Sequence, residues 1–142
     1  MRDLMNSVHV VNAIAPVAAR TDNTAIVSSI IDLKGYGSAM FALSIGTNTD
    51  VNATFAVLLE ESDDSGFSTS NAVDDAYLNG TEALAGFTFG DDTETRKLGY
   101  TGVKRYLRLT VTPSGNDSGN IFLAGVAILG HPDRQPTANP PQ

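Results

Sequence analysis

The sequence predicts an all-β protein, an antiparallel β-sandwich of jelly-roll-like form, and three observations carry that prediction. From Tyr106 to Thr112 the chain alternates without a break. Leu107, Leu109 and Val111 point one way, and Tyr106, Arg108, Thr110 and Thr112 the other, which makes a strand with one dry face, as antiparallel sheets have. About seven to nine segments of roughly five to nine residues share this character and are separated by turn residues, the spacing expected of a sandwich or barrel. No stretch shows the apolar rhythm of an amphipathic helix.

The chain divides into an N-terminal arm (1–23), a sandwich (24–130) and an extended C-terminal tail (131–142). Within the arm, Val8 to Ile14 reads as a first sheet strand in preference to a free tail that docks on a neighbour. Thr24 to Leu33 is β-branched, with Ile26, Val27, Ile30 and Ile31, and is expected as one strand turned at Lys34-Gly35-Tyr36-Gly37. Ser38 to Ile45 places Ala39, Phe41, Leu43 and Ile45 on one face, ahead of a loop at Gly46 to Asp50. Thr54 to Glu60 turns Phe55, Val57 and Leu59 inward, and Leu58 outward implies that part of the second face is covered too.

After a turn at Glu61 to Gly66, Ala72 to Leu78 and Ala83 to Phe89 read as two short strands separated by Asn79-Gly80, the commonest type I′ hairpin pair. Thr93 to Tyr100 is a further strand, and Gly99 and Gly102 around Tyr100 suit a tight corner feeding the strand at Tyr106. Pro113 to Gly119 is a polar loop. Ile121 to Leu129 is nearly continuous in apolar residues, which predicts a central strand covered on both faces. Pro132, Pro136, Pro140 and Pro141 prevent the tail from pairing as a strand.

A chain of 142 residues can bury one core without staples, and it has no cysteine, so disulfides and thiolate chemistry are excluded. The formal charge is −7, and the densest basic group, Lys104, Arg105 and Arg108, is too small for a nucleic-acid footprint. Direct binding to nucleic acid or to an anionic membrane is not expected. No run of about 18 apolar residues is present. Val8 to Ala19 is interrupted by His9, Asn12 and Pro16, and Asp3 spoils a basic start, so a signal peptide is not expected either.

Asp63-Asp64, Asp74-Asp75 and Asp91-Asp92 lack the alternating spacing of a calcium loop and read as solvated turns. Ser62-x-Asp64-x-Gly66 resembles the Asp-box turn of carbohydrate-active β proteins, but Phe67 stands where a Trp is expected, so sugar binding is the minor alternative. Tyr100 and Tyr106 could form an aromatic platform, although packing at the core edge is the commoner role. His9 and His131 stand near opposite ends of the chain with no nucleophile or carboxylate placed beside them by sequence. An enzyme, a metal and a cofactor are therefore not expected.

Five segments carry a family resemblance: Met1-Arg2-Asp3-Leu4, Gly37-Ser38-Ala39-Met40-Phe41, Leu59 to Asp64, Gly99 to Arg108 and Gly130-His131-Pro132. Together they resemble a family of small proteins of tailed bacteriophages and prophages found with capsid genes, over about the whole chain to Pro132. The resemblance implies a virion structural protein, made in the host cytoplasm and placed on the head exterior. It would be a decoration or cement protein that binds the major capsid protein, with a tail or connector component as the alternative. It also implies a homo-oligomer, a trimer by preference, and it brings no catalytic residues. From the residues themselves, the candidate contacts are the arm's Leu4, Met5, Val8, Val10, Val11 and Ile14, apolar side chains that an arm would bury on binding. Deleting residues 1–14 is then expected to leave a folded domain that binds more weakly.

Overall fold

A computed structural model describes residues 3–141 and shows a jelly-roll-like antiparallel β-sandwich. Eleven strands are present among the described residues: β1 (Val8–Ile14), β2 (Ile26–Val27), β3 (Ile31–Asp32), β4 (Tyr36–Asn48), β5 (Thr54–Ser62), β6 (Asn71–Ala72), β7 (Leu78–Asn79), β8 (Phe87–Thr88), β9 (Thr95–Tyr100), β10 (Tyr106–Ser114) and β11 (Ile121–Pro132). One sheet has the order β1-β11-β4-β9-β7. The other has β2-β10-β5-β6, with β3 also on β10 and β8 also on β5.

The alternation in β10 is the fold's clearest sequence signal. Leu107, Leu109 and Val111 are fully buried, and Pro113 continues the inward set, so the strand runs two residues past its expected end. Opposite them, Phe41, Leu43 and Ile45 of β4, Leu98 of β9 and Leu123, Ala127 and Leu129 of β11 complete the core. Val8–Ile14 is the strand that the preferred reading expects, and it pairs with β11 from Val8↔Gly130 to Ile14↔Gly125. A register shift between Asn12 and Ile14 turns both Ala13 and Ile14 inward. The boundary at residue 23 therefore does not separate this strand from the sandwich.

Several elements differ from expectation. The single strand over Thr24 to Leu33 is two short ones, because Ser28 and Ser29 break the ladder. Ser28 Oγ accepts from the Leu109 N–H at 2.9 Å, and Ser29 donates to the carbonyls of Asn12 and Ala13. The Asn79-Gly80 hairpin is not formed. Thr81 caps a one-turn helix, α1 (Glu82–Ala85), by accepting from the Leu84 N–H at 3.1 Å, and β7 joins β9 while β8 joins β5 in the opposite sheet. A ring stack of Phe87 on Phe55, 4.6 Å between centroids, fixes β8 there. β11 is central, between β1 and β4, but its second face is only partly covered: Ala124, Val126 and Ile128 are half-buried and Phe122 is exposed.

Gly99 to Gly102 makes the expected corner, and the reason is close approach. A Cβ on Gly102 would lie 2.4 Å from the Tyr100 hydroxyl. That hydroxyl donates to Glu61 Oε2 at 2.5 Å and accepts from the Lys104 N–H at 2.9 Å, so one phenol ties β9 to β5 across the sandwich. Burial, then the Glu61 hydrogen bond, hold its ionisation far above the usual tyrosine range. At the far end, the buried Asp50 carboxylate accepts from the N–H groups of Asn52, Asp117 and Ser118 and from Ser118 Oγ, at 2.8–3.1 Å. These bonds, the Ser118 N–H foremost, keep Asp50 ionised below the usual carboxylate range.

Candidate partner-binding surface

The two chain ends meet at one end of the five-stranded sheet. A single 3-10 turn, Met5–Ser7, precedes β1, and Asp3 stabilises it by accepting from the Asn6 backbone N–H at 3.1 Å and the Asn6 side-chain amide at 2.6 Å. Thr137 of the proline-rich tail closes over it: its N–H donates to Asn6 O at 3.1 Å, and its hydroxyl reaches Val8 O at 2.6 Å and Met5 O at 3.3 Å. The tail forms no strand past Pro132, yet it is held. This arrangement leaves Leu4 71% and Met5 62% exposed on a backbone fixed from both sides.

The six candidate contact residues separate by register. Leu4, Met5 and Val10 are exposed, and Val8 lies half-buried with Val10 on the outward face. Val11 packs against the core and Ile14 belongs to it at 3% exposure, so these two side chains hold the fold together. The strand period of two decides this: Val10 stands opposite Ile128 on the outside, Val11 opposite Ala127 on the inside.

Across the outward face of this sheet the register lines up rows of side chains. One row runs Val10, Ile128, Met40, Gly99; the next runs Asn12, Val126, Ala42, Lys97; a third runs Ala124, Ser44, Thr95. None of these positions carries a carboxylate, although the chain has sixteen acidic residues. Sequence reasoning missed Met40, Ala42, Ala124, Val126 and Ile128 as surface groups. The signal for Ala124, Val126 and Ile128 is the apolar run of Ile121 to Leu129, expected as a strand covered on both faces; Met40 and Ala42 carry none beyond alternating with the inward set Ala39, Phe41, Leu43 and Ile45.

The outward face of the other sheet is built differently. Glu60 on β5 receives Arg108 of β10 at 3.0 Å, and Ser70 donates to the same carboxylate at 3.1 Å. The Arg108 guanidinium lies 4.5 Å from the centre of the Phe67 ring. Phe67 is buried, with a positive φ of 56°, and Asp64 accepts from the N–H groups of Gly66 and Ser68 at 2.9 Å. The Asp-box-like segment is thus a self-capped turn whose aromatic ring is covered by Arg108. Tyr100 is buried, while Tyr106 is half-exposed with Arg105 5.0 Å from its ring centre.

Pairing of β1 with β11 brings His9 and His131 to one end of the sheet, which their separation in sequence did not suggest. His9 is buried and stacked on Tyr36, 5.4 Å between ring centroids. His131 is exposed, and its Nδ1 shares a 2.8 Å hydrogen bond with Ser38 Oγ. Among the described residues no group of three or more His, Asp or Glu is placed to hold a metal ion.

No family model matches the sequence, and no curated protein matches it. Among solved structures, PBSX exported protein XepA superposes with a TM-score of 0.52 at 13% identity, over 92% of this chain and 39% of that one. The likeness is one of fold. The chain spans 39% of the length of XepA. Lower scores come from Cowpea mosaic virus top component (TM-score 0.44, 12% identity, 95% of this chain and 87% of that one). The xylan-binding module CBM15 gives a TM-score of 0.41 at 13% identity, over 93% and 95% of the two chains.

Proposed function

We propose that this protein is a non-enzymatic structural component of a tailed-phage virion, a decoration protein that docks on the head exterior and bridges neighbouring copies of the major capsid protein. The observation that carries the reading is the N-terminal segment. Leu4 and Met5 stand in water on a backbone that Asp3 and Thr137 already fix. A large apolar side chain gains about 1.5–3 kcal/mol on full burial, and the ordering entropy of this backbone has already been met by the fold. Each contact need only be modest, because repetition over a shell multiplies it. The fold is shared with XepA, a prophage-related protein, which accords with a phage origin.

The test is to compare heads that carry the protein with heads that lack it. Decorated heads are expected to survive to higher temperature, and the protein is expected in the head fraction. Equal robustness, with the protein in the tail fraction, would overturn the reading. Assembly as a trimer on the shell belongs to the same proposal and is checked by light scattering of the free protein and by its stoichiometry on heads. A glycan array separates the carbohydrate-binding alternative, for which saturable binding dependent on Tyr106 would be the sign.

A further inference from the structure

The two outward faces of the sandwich invite opposite environments. One carries a wired polar group, with Arg108 on Glu60 and Ser70 on the same carboxylate, and its charged atoms are best left in water. The other, on the five-stranded sheet, holds half-buried aliphatic side chains, no acidic residue in its outward rows and two cations beside its hollow: Lys97, which makes no ion pair among the described residues, and Arg96, which is neutralised by Asp91 at 2.9 Å and by Glu94. For a chain of net charge −7, three outward rows without a carboxylate make a patch that can lose its water at small electrostatic cost.

The face is also hollow. Small residues at its centre leave a depression of about 530 Å³ between Met40, Ala42, Ala124 and Val126, with Arg96 and Lys97 on its margin. Neither sheet edge competes as a docking line. Ser29 covers one end of β1 and Thr137 the other, and β7 at the opposite edge is two residues long. An area of four strands by about six residues is on the order of 400 Å², taking about 4.8 Å per strand and 3.3 Å per residue. A stable dimer buries about 800 Å² per partner, so this face falls short of one. It suits a contact that is weak alone and repeated many times.

We infer that the outward face of the five-stranded sheet is the surface that seats on the shell subunit, its hollow receiving a protruding apolar side chain and Lys97 facing a hydrogen-bond acceptor or carboxylate of that subunit. This rests on the virion reading and names the face that the reading uses. Leu4 and Met5, at one end of the same sheet, extend the contact beyond the hollow.

The experiment is co-sedimentation of the purified chain with empty shells assembled from the cognate major capsid protein. Ala42→Glu and Val126→Glu place a carboxylate in the hollow, and Lys97→Glu reverses its unpaired charge at an exposed position, which keeps the test open if a hollow variant fails to fold. Ala56→Glu and Thr112→Glu make the same kind of change on the other sheet's outward face, where both positions are exposed. Each variant on the five-stranded sheet is expected to weaken shell binding at least about tenfold, with the two controls within about threefold of wild type. If wild type binds and the variants of both faces bind equally well, the surface assignment fails and the virion reading stands. If wild type does not bind shells, both fail. If light scattering shows a stable dimer that Ala42→Glu dissociates while shell binding persists, the face joins copies of this chain and the inference is overturned.

Discussion

Removing residues 1–14 separates a strand that belongs to the sheet from an arm that merely docks. The deletion takes Ile14 and Ala13 from the core, with Val11 packed against it, and strips β11 of a partner along its whole pairing with β1. Truncating a buried Ile costs about 2–5 kcal/mol, and the loss of Val11 adds about 1 kcal/mol, giving roughly 3–6 kcal/mol. A domain of this size has about 5–15 kcal/mol in all. With a urea slope near 2 kcal/mol/M, the midpoint is expected to fall by roughly 2 M, and the bared edge of β11 is expected to promote aggregation. Removing residues 1–7 alone keeps β1 and is expected to move the midpoint by under about 0.5 M while weakening shell binding. Urea unfolding followed by circular dichroism, with sedimentation on shells, reads both. An unchanged midpoint for the 1–14 deletion would refute the assignment of β1 to the fold and restore the docking arm.

Gly102→Ala drives a methyl group into the Tyr100 phenol, so the loop must shift and the Lys104 N–H bond is lost; a thermal melt is expected to show about 1–3 kcal/mol of destabilisation. Asp50 has its folded-state ionisation lowered, so its stabilisation is present above its ordinary value of 3.8 and is lost as pH falls through the lower folded value. Melting temperature is expected to drop with acidification below about pH 4, and less steeply in Asp50→Asn, which is already weaker at neutral pH. Arg108→Ala removes the pair to Glu60 and the cover on Phe67, and is expected to cost about 1 kcal/mol in urea without changing shell binding. Ser38→Ala is expected to leave hydrolysis of an activated ester at the buffer rate, as in wild type; turnover that depended on Ser38 would contradict a non-enzymatic role.

Strand period carried most of what was legible in sequence. Leu107, Leu109 and Val111 defined β10, and Phe41, Leu43 and Ile45 defined β4, because an alternating pattern permits only one dry face. The segment 72–89 was not legible, since two-residue strands carry no period. Thr81 as a helix cap outcompeted Asn79-Gly80 as a hairpin, and Phe87 found Phe55 only across the fold. The candidate surface was half legible. Leu4, Met5, Val8 and Val10 were named, but a register shift at Asn12/Ile14 that sequence does not reveal turned Ile14 into the core. Val126 escaped notice because a long apolar run looks the same whether its second face is covered by its own chain or by a partner, and Met40 and Ala42 because the inward set of Ala39, Phe41, Leu43 and Ile45 dominated the reading of their strand. The serine beside His131 arises from pairing residues 93 apart in sequence.

A virion map at residue resolution tests the central claim most directly. Density for this sandwich is expected repeated over the head exterior, with Leu4, Met5 and the five-stranded sheet toward the shell and the Glu60–Arg108 face toward solvent. Density confined to the tail, or a head surface bare of the protein, would contradict it.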